Sequence, residues 1–250
     1  MDKNKLIQKN RLFLFDMDGT LYLGNRLYDF TIELLETIKN TGRRYLFMTN
    51  NSSKSVADYI KKLEKLGITA TREDFITSSQ ATAYYLKENY PDHRLYVCGT
   101  KSLKKELETE GFTVTEKLDE VDCIVMGFDT ELTFKKLEDA CILLGRNVDY
   151  IATNPDWVCP TSYGYVPDCG SVSQMLYNAT NRKPKFIGKP EPDMALLAME
   201  KTGFTKEETL IMGDRIYTDI VCGVNAGIST VFVLSGEGML EDVEKSETKP

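Results

Sequence analysis

"RLFLFDMDGTLY", residues 11–22, is the stretch on which the reading of this chain turns. It runs apolar from Leu12 to Phe15 and then changes abruptly to Asp16-Met17-Asp18-Gly19-Thr20. A short continuous apolar run bounded by turn residues predicts a strand covered on both faces, as in a parallel sheet. Such a strand delivers two carboxylates, one residue apart, to its carboxyl edge. Asp-x-Asp-Gly alone also suits a turn or a helix cap, because Asp and Gly favour both. The rest of the chain decides between that plain role and a site.

The strand is followed by a regular alternation. A helix is expected near 30–41, closed by Gly42, and then a strand at "RYLFMT" (44–49). "SKSVADYIKKLEKLG" (53–67) is an amphipathic helix, with Ser52 or Ser53 as its cap, Gly67 at its end and "KKLEKLG" as a solvated face. "DFITS" (74–78) reads as a strand and "SQATAYYLKENY" (79–90) as a helix. Further strands are expected at 94–99, 121–127 and 148–154, with helices near 101–110 and 133–144. A last series holds strands at 184–188, 209–214 and 229–234, with helices from about 192 and about 215. Strands alternating with helices predict an α/β fold, a Rossmann-like doubly wound parallel sheet.

In such sheets function collects at the carboxyl ends of the strands. The polar residues there are Asp16 and Asp18, Thr49 and Asn50, Lys189 and Asp214. If Asp16, Asp18 and Asp214 meet, with Asp219 as a fourth acid, each like-charge pair at about 4 Å costs on the order of 4 kcal/mol at an effective dielectric of about 20. That cost calls for a divalent cation, and an all-oxygen donor set without His or Cys favours Mg2+ over Zn2+. Carboxylates, a lysine and a Thr/Asn pair around Mg2+ are equipment for phosphoryl transfer, which needs positioning and charge neutralisation. Asp16 is then the nucleophile that forms an aspartyl-phosphate, and Asp18 the acid and base that serves the leaving group and the water. Gly19 permits the turn, Thr20 orients the acid, and Thr49, the Asn50 amide and Lys189 hold the phosphoryl oxygens.

Four stretches in this order, "DMDGT" (16–20), "MTNN" (48–51), "GKP" (188–190) and "GDRIYTD" (213–219), resemble the motifs of the haloacid dehalogenase-like superfamily. The resemblance implies Asp16 as nucleophile, Asp18 as acid/base, and Thr49 and Lys189 as the phosphate-binding pair. It also implies a metal held by Asp16, the Asp18 carbonyl and Asp214, with Asp219 behind them. The second aspartate points to phosphate rather than halide, since a departing halide needs no proton. Only 33 positions separate Asp16 from Thr49, whereas 140 separate Thr49 from Lys189, so a further unit of about 100 residues is expected in the second gap. An insertion there is similar to the NagD-like and p-nitrophenyl phosphatase branch. The expected organisation is a catalytic core of residues 1–80 and 184–250, with an α/β cap domain at 81–183. Relatives of that branch usually continue beyond a point like "ETKP" with one more strand and helix, which leaves the edge of the core sheet open.

Within the insertion, "NPDWVCPTSYGYVPDCG" (154–170) is rich in Pro and Gly and shows little periodicity. Asn154, Asp156 and Trp157 are candidates for contact with the leaving group. Loop anchoring competes for Asn154 and Asp156, and a cap core or cap-mediated homodimer competes for the aromatics. "CGTKSL" (98–103) lacks the upstream Gly of a nucleotide-binding loop, so a helix cap at Thr100 accounts for it. His93 follows "YPD" and is expected in a solvated turn, which leaves little for Ser-His-Asp chemistry.

Composition agrees with a small-molecule enzyme. The 250 residues are 42% hydrophobic and 28% charged, with a formal net charge of −7 that argues against a nucleic-acid binder. No apolar run approaches the roughly 18 residues of a membrane span or forms a signal-peptide core, so a cytoplasmic protein is expected. Its six cysteines lack any Cys-x-x-Cys spacing and read as reduced thiols. The leading expectation is a Mg2+-dependent phosphatase of small phosphorylated metabolites, sugar phosphates first. A phosphomutase, or a regulator that binds a metabolite without turnover, stands as the alternative.

Overall fold

A computed structural model of the chain describes residues 7–161 and 163–250. Its strands are β1 (Leu12–Phe15), β2 (Tyr22–Leu23), β3 (Arg26–Leu27), β4 (Arg44–Thr49), β5 (Phe75–Thr77), β6 (Leu95–Cys98), β7 (Cys123–Met126), β8 (Asp149–Ala152), β9 (Val158–Thr161), β10 (Gly164–Pro167), β11 (Lys185–Phe186), β12 (Thr209–Gly213) and β13 (Ser229–Phe232). Its helices are α1 (Thr31–Asn40), α2 (Val56–Lys65), α3 (Ser78–Asn89), α4 (Lys101–Thr109), α5 (Phe134–Gly145), α6 (Cys169–Thr180), α7 (Asp193–Thr202), α8 (Val221–Ala226) and α9 (Leu240–Lys245). The fold is α/β, as the alternation predicts. The chain divides into two compact units, one running through Thr49, Tyr59–Ile76 and Lys189–Pro250, the other Asn50–Asp58 and Thr77–Gly188.

The first unit is built on a five-stranded sheet ordered β13-β12-β1-β4-β5. β1 runs parallel to β12 on one side and to β4 on the other. All four residues of β1 are buried, which is why its sequence is apolar without alternation. β1 leads towards β4 on one side while β12 arrives on the other, so its carboxyl end lies where the strand order reverses. Two elements at this edge are not expected from sequence: the antiparallel pair β2–β3, and a π-helical turn over Ile216–Ile220 that precedes α8.

The second unit holds a parallel sheet ordered β11-β8-β7-β6 and an antiparallel hairpin, β9–β10. Ile124, Met126, Ala140, Leu143, Tyr150, Val172 and Leu176 form its buried cluster, so α5 and α6 cover one face of the sheet. β11 pairs with β8 here, although the sequence groups it with the last series; the unit boundary falls after Gly188, not at 183. The hairpin lies in the segment expected to lack strand order, because Pro160 and Pro167 interrupt the usual strand signal.

Several local expectations are also revised. Neither Ser52 nor Ser53 caps α2. Ser55 does, with its Oγ 3.3 Å from the Asp58 N–H while its own N–H donates to the Asp58 carboxylate at 3.0 Å. Ser52 is instead buried, with its hydroxyl 2.8 Å from that of Thr153 and accepting the Phe128 N–H at 2.9 Å. "KKLEKLG" is not solvated throughout, since the Lys62 side chain is only 20% exposed. His93 is half-buried, 3.2 Å from Asp149. Thr100 caps α4 as expected, accepting the Leu103 N–H at 3.2 Å. All six cysteines are free thiols. No helix among the described residues is long and apolar enough to cross a membrane.

Candidate active site

The site begins where β1 ends. The Asp16 N–H donates to the Met212 carbonyl at 2.9 Å and extends the β1–β12 ladder by one bond. The chain then coils tightly: the Met17 carbonyl faces the N–H groups of Thr20, Leu21 and Tyr22 at 3.3, 3.0 and 3.4 Å. Gly19 closes the loop with an N–H donated to the Tyr22 carbonyl at 2.8 Å. Its φ of +87° and its position admit no side chain, because a Cβ there would stand 2.4 Å from Asp214 Oδ2. The glycine thus serves two ends, bending the loop and letting Asp214 approach it.

Lys189 draws the acids together. Its Nζ lies 2.6 Å from Asp16 Oδ1 and 2.6 Å from Asp219 Oδ1, with its own side chain 3% exposed. Asp219 is also buried, and its second oxygen accepts the Arg215 N–H at 3.1 Å across the π-helical turn. Gly213 makes room for it, since a Cβ at Gly213 would meet Asp219 Cγ at 2.2 Å. Asp214, at the end of β12, accepts the Glu237 N–H at 2.7 Å on Oδ2, while its buried Oδ1 has no hydrogen-bond partner. One carboxylate oxygen each from Asp16, Asp214 and Asp219 lie within 4.8 Å of one another.

Three carboxylates facing one ammonium leave a surplus of negative charge. Burial raises the Asp16 carboxyl well above its usual range, Lys189 opposes this, and Asp219 and Asp214 reinforce it. Burial likewise raises Asp214, against the Glu237 N–H that lowers it. For Lys189, burial alone would lower the ammonium, but Asp16 and Asp219 more than reverse it, so the lysine stays charged. A divalent cation suits this donor set: the oxygens converge, the charge is in surplus and one buried oxygen is unsatisfied.

The other aspartate of "FDMDGT" has a different setting. The Asp18 side chain is 53% exposed, against 15% for Asp16. Its Oδ2 accepts from the Tyr22 hydroxyl at 3.3 Å, and Lys62 Nζ stands 3.5 Å from Oδ1. Burial, then the neighbouring Asp18, raises the Tyr22 phenol far above its usual value, so it is a donor at any working pH. Thr20, expected to orient this acid, does not: its buried hydroxyl has no partner. The side chains that meet its two oxygens are those of Tyr22 and Lys62. Thr49 is buried at the carboxyl end of β4.

Comparison with known proteins identifies the family. Residues 13–113 match the family model described as haloacid dehalogenase-like hydrolase, and residues 186–250 match a second hydrolase model of the same kind. An acid sugar phosphatase of Staphylococcus epidermidis is 34% identical over 239 residues, covering 95% of this chain and 92% of the relative. The chain belongs to the haloacid dehalogenase-like hydrolases. Within them it falls in the NagD-like and 4-nitrophenyl phosphatase branch. A 4-nitrophenylphosphatase from Thermotoga maritima matches with a TM-score of 0.94 at 42% identity, covering 98% of this chain and 94% of that one. A glycerol phosphate phosphatase from Mycobacterium tuberculosis, solved in complex with calcium, matches with a TM-score of 0.91 at 30% identity, over 98% of this chain and 73% of that one.

The remaining candidates lie in the second unit of this hydrolase. Asn50 Nδ2 is 3.1 Å from both carboxylate oxygens of Asp156, and the Asn50 carbonyl accepts from Ser78 Oγ at 2.6 Å and from Asn154 Nδ2 at 2.9 Å. Asn154 is fully buried and its Oδ1 accepts the Asp156 N–H at 3.0 Å. Gly188 fits against them only without a Cβ, which would stand 2.5 Å from the Thr153 carbonyl. The hydrogen bonds tie Asn154 and Asp156 to Asn50, as loop anchoring would. Trp157 differs, with 60% of its surface exposed.

Proposed function

We propose that this hydrolase is a Mg2+-dependent phosphatase of small-molecule phosphomonoesters, such as sugar phosphates, that also cleaves 4-nitrophenyl phosphate and works through an aspartyl-phosphate on Asp16. The observation that carries the reading is Lys189, bridging Asp16 and Asp219 at 2.6 Å each beside a buried Asp214 oxygen with no partner. The relatives named acid sugar phosphatase and 4-nitrophenylphosphatase support the substrate class. The carboxylates of Asp16 and Asp214 and the main-chain carbonyl of Asp18 would hold the cation, and hard oxygen donors favour Mg2+. When bound, the cation neutralises the phosphoryl group and the surrounding acids.

The residues divide the work. An Asp16 carboxylate oxygen attacks phosphorus and forms the acyl phosphate as the ester P–O bond breaks. Asp18 passes its proton to the departing oxygen and then, as a carboxylate, takes a proton from the water that attacks phosphorus. The Asp16–phosphoryl bond breaks, and inorganic phosphate and free Asp16 result. Lys189, the Thr49 hydroxyl and the Asn50 main-chain N–H bind the phosphoryl oxygens, and Asp219 holds the lysine in place. The second unit is the α/β cap domain of this reading, assigned the choice of leaving group, and Trp157 is its exposed candidate for that role. The reading makes the protein a cytoplasmic enzyme acting on a small phosphorylated metabolite.

Inorganic phosphate release from a panel of phosphate esters with Mg2+ tests the function; no release from any ester would overturn it. The cation site has its own test. Mg2+ at about 100 times its Kd stabilises the fold by about 2.7 kcal/mol, a rise in Tm of about 5–10 °C. Asp214→Asn abolishes that rise in a thermal melt while leaving the metal-free Tm within a few degrees of wild type. An unchanged Mg2+ response would remove Asp214 from the site.

A further inference from the structure

Asp18 is half-exposed at the end of a loop, yet each of its carboxylate oxygens meets a different donor. The donor to Oδ2 is the hydroxyl of Tyr22, a residue with no exposed surface. Tyr22 is also built into the same loop through its backbone, its N–H 3.4 Å from the Met17 carbonyl and its carbonyl accepting the Gly19 N–H at 2.8 Å. The loop and the phenol that reaches back to Asp18 are therefore one rigid piece. The donor at Oδ1 is Lys62, on α2, whose Nζ lies 3.5 Å from the oxygen and 3.9 Å from the centroid of the Tyr22 ring. The ring covers the ammonium, and the ammonium closes over the phenol. A half-exposed aspartate without such partners samples several rotamers; two donors on two oxygens select one. We infer that Tyr22 and Lys62 are positioning residues for Asp18, fixing its carboxyl so that proton transfer to the leaving oxygen is aligned.

The inference rests on the proposed role of Asp18 as proton donor, and leaving-group dependence separates the two. Cleavage of an alkyl phosphate expels a strongly basic oxygen and needs the proton in the transition state. Cleavage of 4-nitrophenyl phosphate expels a stabilised anion and needs it little. The value of kcat/KM is therefore measured on both esters, with Mg2+, for wild type, Asp18→Asn, Tyr22→Phe, Lys62→Met and Lys62→Arg. Asp18→Asn is expected to lose far more on the alkyl ester than on the nitrophenyl ester. Tyr22→Phe and Lys62→Met show the same bias at smaller size, about tenfold or more on the alkyl ester and less than about threefold on the nitrophenyl ester. Lys62→Arg restores most of the loss. Tyr22→Phe removes one oxygen and no packing, so it keeps the test readable if Lys62→Met fails to fold. Equal losses on both esters, no loss on either, or a raised KM with kcat unchanged would overturn the positioning role. If Asp18→Asn itself shows no bias, the proton-donor reading fails first, and the inference with it.

Discussion

Asp16→Asn abolishes turnover of every phosphomonoester the wild type cleaves, by about four orders of magnitude or more in kcat, with the fold retained. The amide has nearly the shape of the carboxylate but cannot attack phosphorus, so the covalent route closes. The fold survives because the substitution removes one of three acids that crowd within 4.8 Å, and Lys189 keeps its 2.6 Å partner in Asp219. The lost ion pair and the relieved repulsion oppose each other, which keeps Tm within a few degrees of wild type. Stopped-turnover assays and thermal melts check both halves. An Asp16→Asn enzyme with substantial activity would end the scheme, whatever its stability.

Lys189→Met has a different signature, because it removes both activity and stability. Lys189 is the buried ammonium between Asp16 and Asp219, and a methionine of similar length leaves two carboxylates facing each other. Breaking a buried pair by deleting one partner costs about 3–5 kcal/mol, a fall in Tm on the order of 10 °C for a chain of this size. Adding Asp219→Asn returns much of that stability, since one of the two carboxylates that faced the ammonium is then neutral, but it returns no turnover. If the single variant melts like wild type, Lys189 is not the electrostatic keystone of the acid cluster. If the double variant is no more stable than the single one, the loss lies in packing rather than charge.

The core of the site is readable in the sequence because parallel strands covered on both faces are written as unbroken apolar runs. Leu12–Phe15, Arg44–Thr49 and Thr209–Gly213 end on Asp16, Thr49 and Asp214, and the strand ends are where a doubly wound sheet gathers its chemistry. Lys189 is read from its place just beyond a strand, the role of Asp219 from the resemblance of "GDRIYTD" to the family's last motif, and Gly19 from the turn it permits. No such signal marks Tyr22 or Lys62. Tyr22 reads as one more apolar residue after a turn, and Lys62 as one of several lysines on an amphipathic helix; the coil of the loop brings the Tyr22 hydroxyl back to Asp18, and the tertiary approach of α2 brings Lys62. Thr20 shows the converse, since a hydroxyl in a promising position makes no bond to the acid.

In the second unit the sequence is legible where elements are long and quiet where they are short. β6, β7 and β8 announce themselves as buried runs, whereas the two residues of β11 lie in a stretch that could join either sheet. The hairpin β9–β10 carries a proline in each strand, tolerated because among the described residues each strand pairs on one side alone. Asn154 and Asp156 are polar residues in a Pro- and Gly-rich segment, a setting that suits leaving-group contact and loop anchoring alike. Their bonds to Asn50 tie together the two stretches of chain that make up this unit.

The most direct test of the central claim is to trap the covalent intermediate. Wild-type enzyme mixed with Mg2+ and 4-nitrophenyl phosphate is quenched in acid within the first turnovers, digested and weighed by mass spectrometry. The account predicts one phosphoryl group on the peptide that contains Asp16, formed in step with nitrophenol release and absent from Asp16→Asn. Turnover with no phosphorylated peptide at any quench time, or with the phosphoryl group on another residue, would contradict it.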